Sequence, residues 1–93
     1  MFQVAILQTP IVKVLDIIRQ NPHSATALTL YALVNTLVYE QGGCLFKLTK
    51  LRDLDKAERH LAYDLMEMMA LQQNQTREFL QIKEQMDQLV RSG

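Results

Sequence analysis

The feature that most constrains the fold is a regular apolar register in the C-terminal half of the chain. Counted from Glu58 in alternating steps of three and four, it runs for about four and a half heptads, which is the spacing of a coiled-coil seam. The register therefore predicts an amphipathic helical stretch over residues 55–90 that packs against other helices. The positions that we predict to form its interaction surface are Leu61, Leu65, Met68, Gln72, Gln75, Phe79, Ile82, Met86 and Leu89.

The length of this stretch divides the possible folds into two. One unbroken helix over residues 55–90 would be about 54 Å long at 1.5 Å per residue, whereas a compact chain of 93 residues has a radius of gyration of about 12 Å. A continuous helix would extend beyond the body and pair with another helix, most simply that of a second copy. In the alternative, Asn74 ends one helix, Thr76 caps the next and the chain closes its own bundle. The uninterrupted register slightly favours the continuous helix.

Capping signals set the other helix boundaries. Asp55 and Glu58 have the spacing of a capping box and predict a helix start at Asp55. Thr9-Pro10 is a typical start for an earlier helix, which should end before Pro22 because the residue preceding a proline avoids helical geometry. Its apolar face comprises Ile11, Val14, Leu15 and Ile18, and its β-branched content leaves a strand as the alternative.

The next helix is predicted over residues 25–41, with Ser24 as its N-cap and Gly42-Gly43 as its stop. It is apolar on most sides, which is typical of a central helix. Residues 44–54 are expected to be an irregular or helical connection, since a lone strand would have no partner. Residues 1–7 fit a helix, a strand or an ordered arm equally well.

These elements predict an all-α fold, a small bundle of about four helices. We expect one domain over residues 1–93, with an N-terminal body (1–43), a connection (44–54) and a C-terminal helix or helical hairpin (55–91). The chain is 48% hydrophobic and 22% charged, as in soluble globular proteins. Residues 20–39 lack Asp, Glu, Lys and Arg, but their Asn, Ser and Thr content favours a core helix over a membrane span.

The charge balance and the cysteine content indicate the class of partner and the cellular compartment. Lys+Arg and Asp+Glu both number 10, so the basic excess typical of nucleic-acid binders is missing and self-association is not opposed by net charge. The single cysteine, Cys44, excludes an internal disulfide and favours a reducing compartment. The apolar start has no basic residue before it, unlike a secretory signal. We therefore expect a cytoplasmic protein with no membrane contact.

Two groups of residues could carry chemistry. His60, Asp64 and Glu67 share one helical face at spacings that suit a metal, although a solvated flank beside the seam explains them more simply. Cys44 follows two glycines and could be a reactive thiol, but nothing next to it would lower its pKa, and a buried small hydrophobe needs no special role. We predict no catalytic, cofactor-binding or metal-binding residue.

Two further patterns concern binding. The methionines Met66, Met68 and Met69 suit either a core or an adaptable binding surface. Residues 11–39 loosely resemble two helices of a helix-turn-helix domain, but residues 35–43 contain no Lys or Arg to grip DNA. A basic tract follows, partly offset by acidic neighbours, and consists of Lys47, Lys50, Arg52, Lys56 and Arg59.

The sequence thus predicts a small non-enzymatic helical protein that acts as a protein-interaction or oligomerisation module, and it allows a regulatory role. The expected partner is a second copy, forming a homodimer, or a helix of another protein. No cofactor is expected. The alternative is a small DNA-binding transcriptional regulator with a degenerate helix-turn-helix.

Overall fold

The computed structural model describes residues 9–39 and 46–92, and all the regular secondary structure in these ranges is helical. The chain has a radius of gyration of 12.5 Å, as expected for a compact domain of this length. The predicted small all-α bundle is confirmed. Its elements are α1 (Pro10–Gln20), α2 (Ala25–Val38), a short 3-10 helix (Leu48–Asp53), α3 (Lys56–Ala70) and α4 (Arg77–Arg91).

The helix starts lie where the capping residues predict them. Thr9 precedes α1 with Pro10 at its first turn, and the Ser24 hydroxyl accepts a hydrogen bond from the Ala27 amide at 3.0 Å. At the start of α3, Asp55 accepts from the Glu58 amide at 2.8 Å while the Glu58 carboxylate accepts from the Asp55 amide at 2.9 Å. These local contacts satisfy amide groups that have no acceptor within the helix.

The helix ends agree less uniformly with the predictions. Asn21 ends α1 immediately before Pro22, as predicted. The second helix, predicted to reach Gln41, ends at Val38. The predicted Gly42-Gly43 stop, residues 1–7 and Cys44 all lie outside the described residues. The connection after them contains the 3-10 helix, in agreement with the predicted irregular or helical segment.

The prediction of one continuous C-terminal helix is wrong. The helix that starts at Asp55 ends at Ala70, and a turn with Gln72 at φ 62° separates it from α4. Asn74 lies in this turn and not at the end of α3, whereas the Thr76 hydroxyl caps α4 by accepting from the Phe79 amide at 3.2 Å, as the broken alternative predicts.

The turn is stabilised by contacts with the end of α2. The Asn74 amide, only 2% exposed, donates to the carbonyl oxygen of Leu37 at 2.6 Å, and the Gln75 amide donates to that of Val38 at 2.8 Å. The last carbonyls of a helix have no acceptor role within it and need a donor from elsewhere. These two hydrogen bonds offset the cost of breaking the helix and of the left-handed residue Gln72.

The four α-helices of the described ranges pack around a common hydrophobic core. Helix α1 contacts each of the other three α-helices, most extensively α4, and α2 also contacts the other three and the 3-10 helix. The buried hydrophobic side chains are Ile11, Val14, Leu15, Ile18, Ala27, Leu30, Leu33, Val34, Leu37, Leu54, Ala62, Leu65, Phe79, Ile82 and Met86. Within the described ranges, every helix is too short or too polar to cross a membrane.

Candidate functional site

The predicted C-terminal interaction surface is divided between the core and solvent. Four of its residues are buried in the chain's own core, namely Leu65, Phe79, Ile82 and Met86. Three more pack partly buried against that core, namely Leu61, Met68 and Leu89. The two glutamines, Gln72 and Gln75, are exposed in the turn. The four buried side chains therefore pair helices within one chain and are not free to contact a partner. The predicted homodimer or partner helix stays a prediction.

An open groove of about 380 Å³ lies between α2 and the 3-10 helix. We call it the α2 groove; its lining is Ala25, Leu28, Thr29, Ala32, Phe46, Lys47, Lys50 and Asp53. The first four of these residues repeat at helical spacing along one face of α2. Leu28 is 42% exposed, and Phe46 is partly buried against the core. The groove is thus an apolar concave surface that the described residues leave open to solvent.

The rim of the α2 groove is more basic than acidic. Lys47 and Lys50 are exposed, and Lys50 lies 3.7 Å from the carboxylate of Asp53 in a solvated ion pair. The remaining residues of the predicted basic tract continue toward α3, where the Arg59 guanidinium donates to the Leu54 carbonyl at 2.7 Å. A ligand in the groove would therefore meet positive charge at one edge.

Helix α3 presents a second exposed surface of the opposite charge. We call it the α3 outer face; it consists of His60, Tyr63, Asp64, Glu67 and Leu71, all exposed and at helical spacing. Tyr63 is 46% and Leu71 58% exposed. The rings of His60 and Tyr63 meet edge to face, with centroids 6.0 Å apart. The face combines two large apolar side chains with two carboxylates.

This placement bears on the metal and thiol candidates. His60, Asp64 and Glu67 do share one face, but the described residues contain no group of three or more His, Cys, Asp or Glu side chains placed to hold a metal ion. Cys44 is outside the described residues. Of the methionines, Met66 and Met68 are partly buried against the core and Met69 is 40% exposed.

Four polar side chains pair where α2 meets α4: Lys83 is buried, Tyr31 and Asp87 are partly buried, and Tyr39 is 52% exposed. The Lys83 ammonium, whose side chain is 8% exposed, donates to the Asp87 carboxylate at 2.8 Å and to the Tyr39 hydroxyl at 3.1 Å. It also lies 4.8 Å from the centroid of the Tyr39 ring, a cation–π contact. The other Asp87 oxygen accepts from the Tyr31 hydroxyl at 2.5 Å. We call these four residues the Lys83 cluster.

The pKa values of both Tyr31 and Lys83 are raised by their surroundings in the cluster. Burial raises the pKa of Tyr31, and the hydrogen bond to Asp87 raises it further. Burial by itself would lower the pKa of Lys83, but the hydrogen bonds to Asp87 and Tyr39 outweigh that effect and the pKa lies above its ordinary value. Lys83 is therefore held as an ammonium and is a poor nucleophile or general base near neutral pH.

Neither the α2 groove nor the Lys83 cluster was predicted from the sequence. A weak signal exists for the cluster, since Lys83 and Asp87 are four residues apart on one helix. Their partners Tyr31 and Tyr39 are more than 40 positions away, at separations of 56 and 44 residues, and no local pattern connects them. The groove needs the 3-10 helix to lie across α2, which is a tertiary contact.

The comparisons with known proteins place no constraint on the function. No protein-family model matches the chain, and neither a search of curated proteins nor a search of solved structures finds a match.

Proposed function

We propose that the protein is a non-enzymatic protein-interaction module that binds an α-helix of a partner polypeptide in the α2 groove. The observation that carries this proposal is the groove itself. Exposed apolar residues scattered singly are ordinary on protein surfaces. Here a leucine, an aromatic ring and two alanines instead line one concavity of about 380 Å³, and concave apolar surfaces are typical binding sites.

A helix is the ligand that best fits the shape of this surface. Ala25 and Ala32 are small and lie on either side of Leu28 along the groove, so the axis of a second helix can lie about 8–10 Å from the α2 axis. Leu28 and Phe46 supply the apolar walls against which the anchor side chains of the incoming helix would pack. Recognition of this kind uses an amphipathic helix with apolar residues at i, i+3 or i+4, and i+7.

The Lys83 cluster supports a structural rather than a catalytic reading of the buried polar groups. Its ammonium, carboxylate and hydroxyl groups bond to one another, and the raised pKa of Lys83 keeps it charged at neutral pH. Catalytic bases and nucleophiles require pKa values near the working pH. We therefore propose no enzymatic activity and no cofactor. The single cysteine supports a cytoplasmic location.

The DNA-binding alternative is less well supported. Helix α2 would be the recognition helix of the helix-turn-helix pattern, but it has no Lys or Arg and contributes five hydrophobic side chains to the core. Its open face is the apolar lining of the α2 groove. Readout of base edges in the major groove relies on polar and basic side chains, so a salt-sensitive shift of labelled duplex DNA would be needed to revive this alternative.

The test is binding of a fluorescein-labelled amphipathic peptide, with leucines at i, i+4 and i+7 and glutamates beside them, followed by fluorescence anisotropy. We expect saturable binding by the wild-type chain. Ala32→Trp should fill the groove and weaken binding by about tenfold or more. Ala57→Trp is the matched control, since Ala57 is an exposed alanine on another helix.

Two outcomes of this experiment would contradict the proposal or its assigned site. Absence of binding by the wild-type chain at about 100 µM would contradict the proposal. Equal binding by the Ala32→Trp and Ala57→Trp variants would show that the peptide binds elsewhere, and the α2 groove would lose its assignment. Circular dichroism of both variants establishes that they retain the helical fold.

A further inference from the structure

From the geometry we infer that the helix bound in the α2 groove is α3 of a second copy of this chain. The inference rests on the proposed function and names its partner. The two surfaces concerned are the α2 groove of one copy and the α3 outer face of the other. The α3 outer face is exposed, and the α2 groove is open to solvent at Leu28, Lys47 and Lys50. Phe46 packs partly buried against the core, but no residue of either surface belongs to the buried hydrophobic core itself.

The two surfaces match in length. Along α2, the groove extends from Ala25 to Ala32, which is about 10 Å at 1.5 Å per residue. On α3, the exposed apolar side chains Tyr63 and Leu71 are eight residues apart, or about 12 Å. A helix laid along the groove would thus place one of them near each end.

The two surfaces also match in charge. The groove rim carries two lysines and one aspartate, whereas the charged pair on the α3 outer face is Asp64 and Glu67. In this contact the carboxylates face Lys47 and Lys50, and opposite charges across an interface favour the correct partner and its register. The chain as a whole has no net charge, so two copies do not repel one another.

The same pair of surfaces allows a closed assembly. In the dimer that we infer, a two-fold axis relates the copies, so the groove of each copy meets the outer face of the other and the contact forms twice. A doubled contact also helps to reach the area of about 1,200–2,000 Å² that stable interfaces bury. This arrangement differs from a coiled coil through the C-terminal register, because the register's central residues Leu65, Phe79, Ile82 and Met86 remain in the core of each chain.

Charge reversal on each surface tests the inference. We expect the wild-type chain to dimerise reversibly in analytical ultracentrifugation, more weakly at high salt. The variant K47E/K50E should dimerise about tenfold more weakly, and D64K/E67K should do the same, because each places like charges opposite one another. In an equimolar mixture of the two variants both contacts again join opposite charges, so dimerisation should return.

Matched controls lie on other helices. K13E/R19E is the control for the groove variant, since Lys13 and Arg19 are exposed and Arg19 forms a solvated pair with Asp16 at 3.3 Å, much as Lys50 does with Asp53. E78K/E84K, at exposed positions of α4, is the control for the variant of the outer face. Both controls should dimerise like the wild-type chain.

Three outcomes would overturn the inference: a wild-type chain that stays monomeric at about 100 µM, single variants that dimerise like the wild type, or a mixture that does not recover. Peptide binding separates these from failure of the proposed function. If the peptide binds the groove of a monomeric chain, the second-copy inference is wrong and the interaction module stands. If the inference is right, the same peptide should dissociate the dimer.

Discussion

Helix α2 meets two of its neighbours, α4 and the 3-10 helix, in opposite ways. Toward α4, Tyr31 of α2 and Tyr39, the residue that follows α2, pair their hydroxyl groups with the partly buried Asp87 and the buried Lys83. Toward the 3-10 helix, the same α2 leaves apolar groups open to solvent around Leu28. Lysine side chains usually stay exposed, but the contact with α4 buries Lys83. Leucine side chains are usually buried, but Leu28 is exposed in the α2 groove.

The two contacts differ in whether their side chains find partners within the described part of the chain. Each member of the Lys83 cluster has a partner in the same chain, and a buried ion pair with complete hydrogen bonding can fix how two helices pack. Among the described residues, none fills the α2 groove. Covering an apolar surface is favourable by about 25 cal/mol per Å² of apolar surface buried. The α2 groove, and not the Lys83 cluster, is therefore the feature that indicates a partner.

The largest expected effect comes from breaking the Lys83 cluster. Asp87→Ala leaves the buried Lys83 ammonium without its carboxylate, and the free energy of unfolding should fall by about 2–4 kcal/mol. Urea denaturation followed by circular dichroism measures it. Glu84→Ala, an exposed position on the same helix, is the control and should change stability by no more than about 0.5 kcal/mol.

The double variant Lys83→Met/Asp87→Ala sharpens this result. Removing both charges leaves no buried ammonium to penalise, so the double variant should recover a large part of the stability lost by Asp87→Ala alone. Equal stability of the single and double variants would contradict the role of Lys83 as a buried charge that depends on Asp87.

Removing the Tyr31 hydroxyl should have a smaller effect. Tyr31→Phe keeps the ring but removes the donor to the Asp87 carboxylate, and a hydrogen bond to a charged group contributes about 1.5–3 kcal/mol. Because Tyr31 is only partly buried, we expect a loss of about 1–2 kcal/mol at neutral pH. Urea denaturation of the variant checks this value, and an unchanged midpoint would show that the hydroxyl is not coupled to the cluster.

The Tyr31 contribution should also depend on pH. The pKa of Tyr31 is raised above its ordinary value of 10.0, so the folded chain holds this proton more tightly than the unfolded chain. The associated stability is complete below pH 10 and is lost as the pH rises through the raised folded-state pKa. The stability difference between the wild-type chain and Tyr31→Phe should therefore narrow at pH above 10, and a constant difference between neutral and strongly alkaline pH would contradict the shift.

The smallest effect on stability is expected on the other side of α2. Leu28→Gln replaces a side chain that is 42% exposed, so unfolding free energy should change by no more than about 0.5 kcal/mol. The same change should weaken peptide binding and dimerisation, because Leu28 lines the groove. A large loss of stability would instead place Leu28 among the residues that hold the chain together.

Local chemistry was readable from the sequence. Ser24, Asp55 and Thr76 cap the helices at which they are placed by pattern alone, since a cap requires only one side chain and amides two or three residues away. The choice between one C-terminal helix and two was not readable. It depends on Asn74 and Gln75 reaching carbonyls of α2 that lie 37 residues earlier.

The apolar register itself also misled as to its partner. Its spacing is the same whether the facing helix belongs to another chain or to the same one. Periodicity therefore cannot distinguish a dimer from a bundle within one chain. Once the chain turns at Gln72, the two halves of the register face the chain's own α1 and α2. The continuous helix and the dimer that it implied depended on the same assumption.

What the sequence determined by itself is therefore the all-α class, the helix starts and the apolar faces of the helices, because each follows from contacts within about one helical turn or from periodicity. The tertiary structure decided the break between α3 and α4, the Lys83 cluster and the α2 groove. Each of these joins residues that are distant along the chain, and their free energies appear only when the helices are packed together.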